Sequence, residues 1–389
     1  MKKTYGGLLV IAGTLGVLLY VAADNRSGDI PAALPLTAAA PSHNPTKPVK
    51  VALGRLLFWD PILSGPQDVA CATCHHPRFG YAENRELSIG VTGVGLGHRR
   101  RFAPGSSIPL VKRNSPTVLN IAFSGSDEAG LYDAATAPMF WDMRVRGLEA
   151  QALEPLKALE EMRGHTYSEG RAVDNVVARL NANDEYRRLF AGAFGDEQRG
   201  NPVNAANLAR ALAAFQRSLL ANNAPFDRYM RGDRDAMSAA QRRGMRRFER
   251  VGCINCHKGP MFSDYKLHVL GVPDNSSLPA SDSGAESRYA FRTASLRNLE
   301  FTAPYMHSGV FRTLEDVLEF YDDVDSRRGR ARNPNVSRDQ LDPLLRDLRG
   351  VDDDDEDLIE FLRALSDDSF DRTIPERVPS GLPVGGRIQ

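Results

Sequence analysis

The sequence predicts an all-α protein in which one helical unit is used twice. Three observations carry this. Strand signals are sparse along the whole chain, apolar residues recur at helical spacing in several separate stretches, and one pentapeptide pattern, Cys-x-x-Cys-His, occurs twice. The copies are Cys71-Ala72-Thr73-Cys74-His75 and Cys253-Ile254-Asn255-Cys256-His257, and together they use all four cysteines.

Taken in order, the chain opens with Lys2 and Lys3, an uncharged apolar run from Leu8 to Leu19, and the small residues Val21-Ala22-Ala23. Residues 1–23 therefore read as an export signal or, since a span needs about 20 residues, as a single N-terminal anchor. Residues 24–48 are rich in Pro, Ala, Ser and Thr and read as a linker. Residues 49–199 and 200–375 are assigned to the two units, and 376–389 to a tail. Val51 to Phe58 is helical and leads to the first pentapeptide. Gly80 to Pro116, dense in Gly, Pro and Ser, reads as a long loop region of the kind that is usually functional. Helices are expected over 144–162, 171–180 and 185–194. Asn201-Pro202 then reads as cap and first position of a helix with Leu208, Leu212, Phe215 and Leu219 on one face. Ser238 caps a helix that ends near Val251 and presents the second pentapeptide. Asp352 to Asp355 stand at the start of a further helix carrying Leu358, Ile359, Leu362 and Leu365, where acids favour the N-terminus. A weak repeat joins the units: an Arg-x-x-Phe or Arg-Phe step precedes each pentapeptide (Arg55 to Phe58; Arg247-Phe248), and an aromatic follows (Phe79; Phe262).

Cys-x-x-Cys-His is the attachment pattern of c-type haem. Two thiols one helical turn apart can add to the two vinyl groups of one porphyrin, and the adjacent imidazole reaches the iron. Structural disulfides would give no reason for a histidine after each pair. A zinc site drawing on both clusters is a further alternative, as is a thioredoxin-like redox pair, although no βαβ pattern surrounds either copy. Covalent haem accounts for every position of both copies, and its attachment outside the cytoplasm agrees with an export signal. Lys plus Arg (49) equals Asp plus Glu (49). No net charge or motif therefore points to nucleic acid, and runs such as Arg99-Arg100-Arg101 read as solvated faces or partners for haem carboxylates.

The stretch Phe140-Trp141-Asp142-Met143-Arg144, then Leu148-Glu149-Ala150-Gln151, Pro155 and Glu160-Glu161-Met162, resembles the bacterial di-haem cytochrome c peroxidase and MauG family when set beside the two haem motifs. Leu53 to Phe58, Arg113 to Thr117, Leu296 to Asn298 with Thr302 to Tyr305, and Thr313 to Asp316 with Phe320-Tyr321 extend the resemblance over about Val49 to Leu365. It implies two cytochrome c-like domains, each with one covalent haem c. By position, His75 resembles the proximal ligand of the peroxide-reactive haem, and Glu161 the distal acid/base, with Gln151 and Pro155 lining the same pocket. Such a carboxylate can take a proton from peroxide and return it to the leaving oxygen; as isolated residues, Glu160 and Glu161 would read as surface acids. Trp141 resembles the tryptophan that conducts electrons between the haems, its plain alternative being a core indole. Asn114 with the carbonyls of Thr302 and Pro304 resembles the family's calcium site, whose neutral oxygens suit that ion.

His257 is expected to hold the second iron. Its opposite ligand is methionine in the peroxidases of the family and tyrosine in MauG-like members; Tyr321 stands at that position, with Met306 as runner-up and a core tyrosine as the plain reading. Leu314, Val317, Leu318 and Tyr321 share one helical face. A hard phenolate oxygen would favour oxidised iron. Two departures matter. The removable distal histidine of the methionine-type peroxidases is replaced by Ser106, with His98 nearby on a lengthened loop. The surface tryptophan that MauG carries six residues before the second haem histidine is replaced by Val251, and Met143 replaces the glycine after Trp-Asp.

The resemblance thus implies an exported, periplasmic di-haem peroxidase that reduces hydrogen peroxide to water. A small redox protein (cytochrome c or cupredoxin) would supply electrons through the second haem. The alternatives are MauG-like oxidation of a partner protein's side chains, or a non-enzymatic electron carrier with both irons closed by two protein ligands.

Overall fold

The computed structural model describes residues 31–197, 200–324, 331–351 and 355–389. The N-terminal run read as signal or anchor, the start of the linker and the acids Asp352 to Asp354 lie outside these. No helix among the described residues is long and apolar enough to cross a membrane.

Two apolar clusters organise the chain, and each is built on a crossing of two helices. In the first, helix Pro48–Trp59 packs on Ala205–Ser218, with Asp184–Phe194 alongside. Pro48 starts the first helix where its missing N–H costs nothing. Gly54 sits at the crossing: a Cβ there would overlap the Ala211 carbonyl. One turn on, Phe58 meets Phe215 edge to face at 5.1 Å. The second cluster repeats the device. Helix Ala239–Arg250 packs on Glu356–Arg363, a Cβ at Gly244 would overlap the Asp357 carbonyl, and Phe248 meets Phe361 at 5.3 Å. The repeat is therefore Gly-x-x-x-Phe followed by the haem motif, a sharper signature than the Arg-Phe step. Its following aromatic is Tyr81 rather than Phe79, because Tyr81 and Phe262 present the equivalent carbonyls to the motif histidines.

Ser238 caps its helix as expected, through a reciprocal capping box with Gln241, and Asp355 caps Glu356–Arg363 by accepting from the Leu358 amide. Leu208, Leu212, Phe215 and Leu219 are all buried. Two expectations need correction. The helix expected from Asn201-Pro202 begins at Ala205, with Asn204 as cap, because Asn201 turns its side chain onto the Val203 amide instead. The segment 144–162 is no single helix: Gly147 at φ 79 and the extended Ala158 break it into short turns, Leu148–Gln151, Glu154–Lys157 and a π-helical turn Leu159–Arg163. Among the apolar residues, Val203 to Ala221 pack in the first cluster and Phe226 in the second.

Among the described residues the strands, isolated bridges aside, are two-residue ladders, Gly93–Val94 with Arg101–Phe102, Pro138–Met139 with Val145–Arg146, and Leu267–His268 with Phe291–Arg292. The C-terminal tail returns to the first unit. Phe370 and Val378 enter its core, Gly385 N–H donates to Trp59 O (2.8 Å), Arg387 N–H to Asp68 O (3.0 Å), and Gly95 N–H to Arg387 O (2.9 Å).

Candidate active site

The first motif is one helical turn, Cys71–Cys74, held from inside and outside by Thr73, whose hydroxyl accepts from Ala70 N–H (2.9 Å) and donates to Gly385 O of the tail (2.8 Å). Cys71 and Cys74 thereby face one side. His75 directs Nδ1 to Tyr81 O (3.2 Å), with Ser115 Oγ at 3.3 Å. A carbonyl only accepts, so Nδ1 carries the proton and the Nε2 lone pair is left for a metal. Burial pushes the imidazole down to about 4, which keeps it neutral and ligand-ready, and pushes the Cys71 thiol up to about 12. The second motif repeats this arrangement: His257 Nδ1 donates to Phe262 O at 2.8 Å, and burial raises both Cys253 and Cys256 to about 12. All four thiols are free. The motifs lie in separate clusters, and no group of three or more metal-binding side chains forms among the described residues, so no zinc site draws on both.

Glu161 lies on the π-helical turn, a geometry that recurs at functional sites. Two glycines clamp this turn. Gly65 N–H donates to Met162 O (2.7 Å), and a Cβ at Gly90 would overlap the carbonyls of Glu160 and Glu161. The carboxylate is half-buried and close enough to Cys71 and Cys74 to raise both thiols. Burial first, then the charge of Glu160, pushes Glu161 up to about 7, with Arg144 as the opposing cation. Pro155 and Gln151 stand on the two turns that lead into it. Ser106 is hydrogen-bonded to Thr92 Oγ1 at 2.6 Å. His98 is exposed and borders a separate polar cavity with Arg85, Glu86, Asn275 and Arg312.

A large, mostly apolar cavity opens above the second motif, with about 1990 Å³ of space, part of it open to solvent. Cys253, Cys256 and His257 line it, together with Leu314, Val317, Leu318 and Tyr321 of helix Leu314–Val324, so the apolar face read from sequence is the face turned to the cavity. Tyr321 comes within electrostatic reach of both thiols, and burial holds its phenol well above the ordinary range. Its hydroxyl has no hydrogen-bond partner among the described residues, whereas the neighbouring Tyr305 donates to Leu299 O at 2.9 Å. Met306 borders the same space. Two thiols, a metal-ready imidazole and a facing phenol around one apolar hollow fit a covalently held haem.

Between the motifs, Ser115 touches His75 and its neighbour Asn114 accepts at its carbonyl from Trp141 Nε1 (2.9 Å). Trp141 lies on the second cavity with Asn114, Thr302 and Pro304, and its ring meets His307 edge-on at 6.4 Å. Asn114 Nδ2 donates to the carbonyls of Arg85 and Glu86, which leaves its side-chain oxygen as the free end.

The model of the di-haem cytochrome c peroxidase family matches residues 48–235. The methylamine utilization protein MauG of Methylorubrum extorquens is 35% identical over 347 residues, spanning 88% of this chain and 85% of that protein. This chain belongs to the di-haem cytochrome c peroxidase family. Cytochrome c551 peroxidase of Pseudomonas aeruginosa is 34% identical over 276 residues, 68% of this chain and 69% of that one. The solved structure of a MauG-like protein associated with microbial copper homeostasis superposes with a TM-score of 0.68 at 28% identity, covering 88% of this chain and 95% of the other. The family makes the chain an oxidoreductase whose cofactors are haems c.

Sequence reasoning passed over several residues of this family site. Ser115 was legible only as part of a matching string. Glu83 is buried against Cys74, and burial pushes it up to about 7 despite Ser88 and Arg100 nearby. Arg292 and His307 line the second cavity. Nothing in spacing or periodicity marks these, because what distinguishes them is a partner, or the lack of one, in three dimensions.

Proposed function

We propose that the chain is an exported di-haem peroxidase that reduces hydrogen peroxide to water, with the first motif holding the reactive haem and the second the electron-transfer haem. The observation that carries this reading is the half-buried Glu161 carboxylate beside the first thiol pair, with Ser106 tied to Thr92 where a removable histidine ligand would stand. When bound, haem supplies an iron that coordinates peroxide and exchanges electrons. His75 holds that iron through Nε2, fixed by Tyr81 O and Ser115. Glu161, poised near neutrality, takes a proton from peroxide and delivers one to the leaving oxygen. Gln151 and Pro155 wall the pocket. Trp141 passes electrons between the centres. His257 and Tyr321 would hold the second iron, and Asn114 with the carbonyls of Thr302 and Pro304 would hold a calcium ion. The electron donor is a small redox protein, cytochrome c or cupredoxin, and the location is the periplasm.

A second reading, peroxide-dependent oxidation of a partner protein, is favoured by Tyr321 on the second cavity and the 35% identity to MauG. Against it, Val251 stands where MauG presents its surface tryptophan, and Val251 is fully buried. Steady-state assay with reduced small cytochrome c separates the readings. Rapid turnover on adding peroxide is expected. Peroxide consumption that proceeds only as a partner protein becomes oxidised would overturn the peroxidase reading.

A further inference from the structure

Arginines in the second cavity differ in how they are satisfied. Arg297 is saturated: Nη1 meets Asp227 at 2.9 Å, and Nε and Nη2 both donate to Pro260 O. Arg292 is not. It is half-buried on the cavity wall, its side chain makes one hydrogen bond, Nη1 to Pro138 O at 3.1 Å, and its Nε is sealed with no acceptor. A guanidinium carries five donors, and among the described residues no carboxylate pairs with this one; its titratable neighbour is the Tyr265 phenol, over whose ring it lies at 5.7 Å. Leaving a cation so placed without an anion is costly. The backbone places it with purpose, since Arg292 N–H donates to Trp141 O at 2.7 Å and Phe291 beside it stacks on His307 at 3.5 Å. The missing anion must therefore come from whatever fills the cavity, and haem brings two propionate carboxylates, for which an arginine fork is matched in shape.

We propose that Arg292 is a haem-binding residue: its guanidinium takes a propionate of the haem held by Cys253, Cys256 and His257, and its backbone amide ties that cation to Trp141. This rests on reading the second motif as a haem site. A cation fixed near the iron disfavours the ferric state by Coulomb repulsion, so Arg292 raises the potential of the second haem at the point where Trp141 meets it.

The test is spectroelectrochemical titration of the two-haem protein as Arg292→Gln and Arg292→Lys, with the first haem as internal control. In Arg292→Gln the second haem's reduction equilibrium is expected to shift at least tenfold toward ferric, a fall of 59 mV or more for one electron. The Lys variant should shift less, and the first haem should not move. An unshifted second haem in a Gln variant that retains both haems overturns the proposal. Should the Gln variant lose its second haem, resonance Raman of the Lys variant decides: a displaced propionate bending mode supports the contact, and an unchanged one overturns it. A parent protein with one haem per chain would overturn the underlying reading instead, and pyridine haemochrome counting reports that separately.

Discussion

At Glu161, burial and the neighbouring charge of Glu160 act in the same direction, and together they bring a carboxyl from the acid range to about 7. The base form is then present above that value and lost below it. Peroxidase kcat/KM should accordingly fall on the acid side with a midpoint near 7, and a pH–rate profile checks this. Glu161→Gln should lower kcat by about 10²–10⁴-fold, the ordinary worth of a positioned acid/base, and should abolish that limb. Stopped-flow reaction with peroxide measures both. At Tyr321 the expected change is electronic. Tyr321→Met replaces a hard oxygen by a thioether, so the second haem's potential should rise by more than about 59 mV, a tenfold change in equilibrium, read by redox titration. Glu161 and Tyr321 could be singled out from their strings. Glu83 and Arg292 could not, because what surrounds a charge in three dimensions has no linear signature.

The helices explain why the haem motifs are held in the same way twice. Gly54 and Gly244 let two helix pairs cross in contact, and Phe58 and Phe248 seal the crossings one turn later. Gly244→Ala would drive a methyl into the Asp357 carbonyl. Overpacking of this kind costs about 1–3 kcal/mol, so the melting temperature should fall and the second haem be incorporated less fully, with the first unaffected; calorimetry and haem counting test this. Periodic helices such as Ala205–Ser218 were legible because their buried residues recur every turn. The segment 144–162 was misread as one helix because its apolar spacing is helical while Gly147 and Ala158 impose extended or left-handed backbone at single residues. The π-helical turn that carries Glu161 is invisible to a 3.6-residue pattern for the same reason.

Across the whole molecule, the chain closes on itself. The tail from Ser380 to Ile388 reaches Asp60, Trp59, Asp68, Thr73 and Gly95, so the last residues brace the turn that carries the first motif. Removing residues 376–389 should destabilise the first unit by roughly 0.5–1.5 kcal/mol for each hydrogen bond lost, and should unseat Thr73 and hence the first haem while sparing the second; differential haem content after truncation is the measurement. This strap carries no periodicity, and from sequence it read only as a tail. The family's order of motifs was legible, whereas the contact between the two ends of the chain was not.

The central claim is an asymmetry between two similarly built centres: Glu161 faces one motif, and Tyr321 faces the other. EPR of the fully ferric two-haem protein tests it most directly. The account predicts one high-spin signal that converts on adding cyanide or peroxide, beside one low-spin signal that does not respond. Two low-spin signals, both indifferent to peroxide, would contradict it.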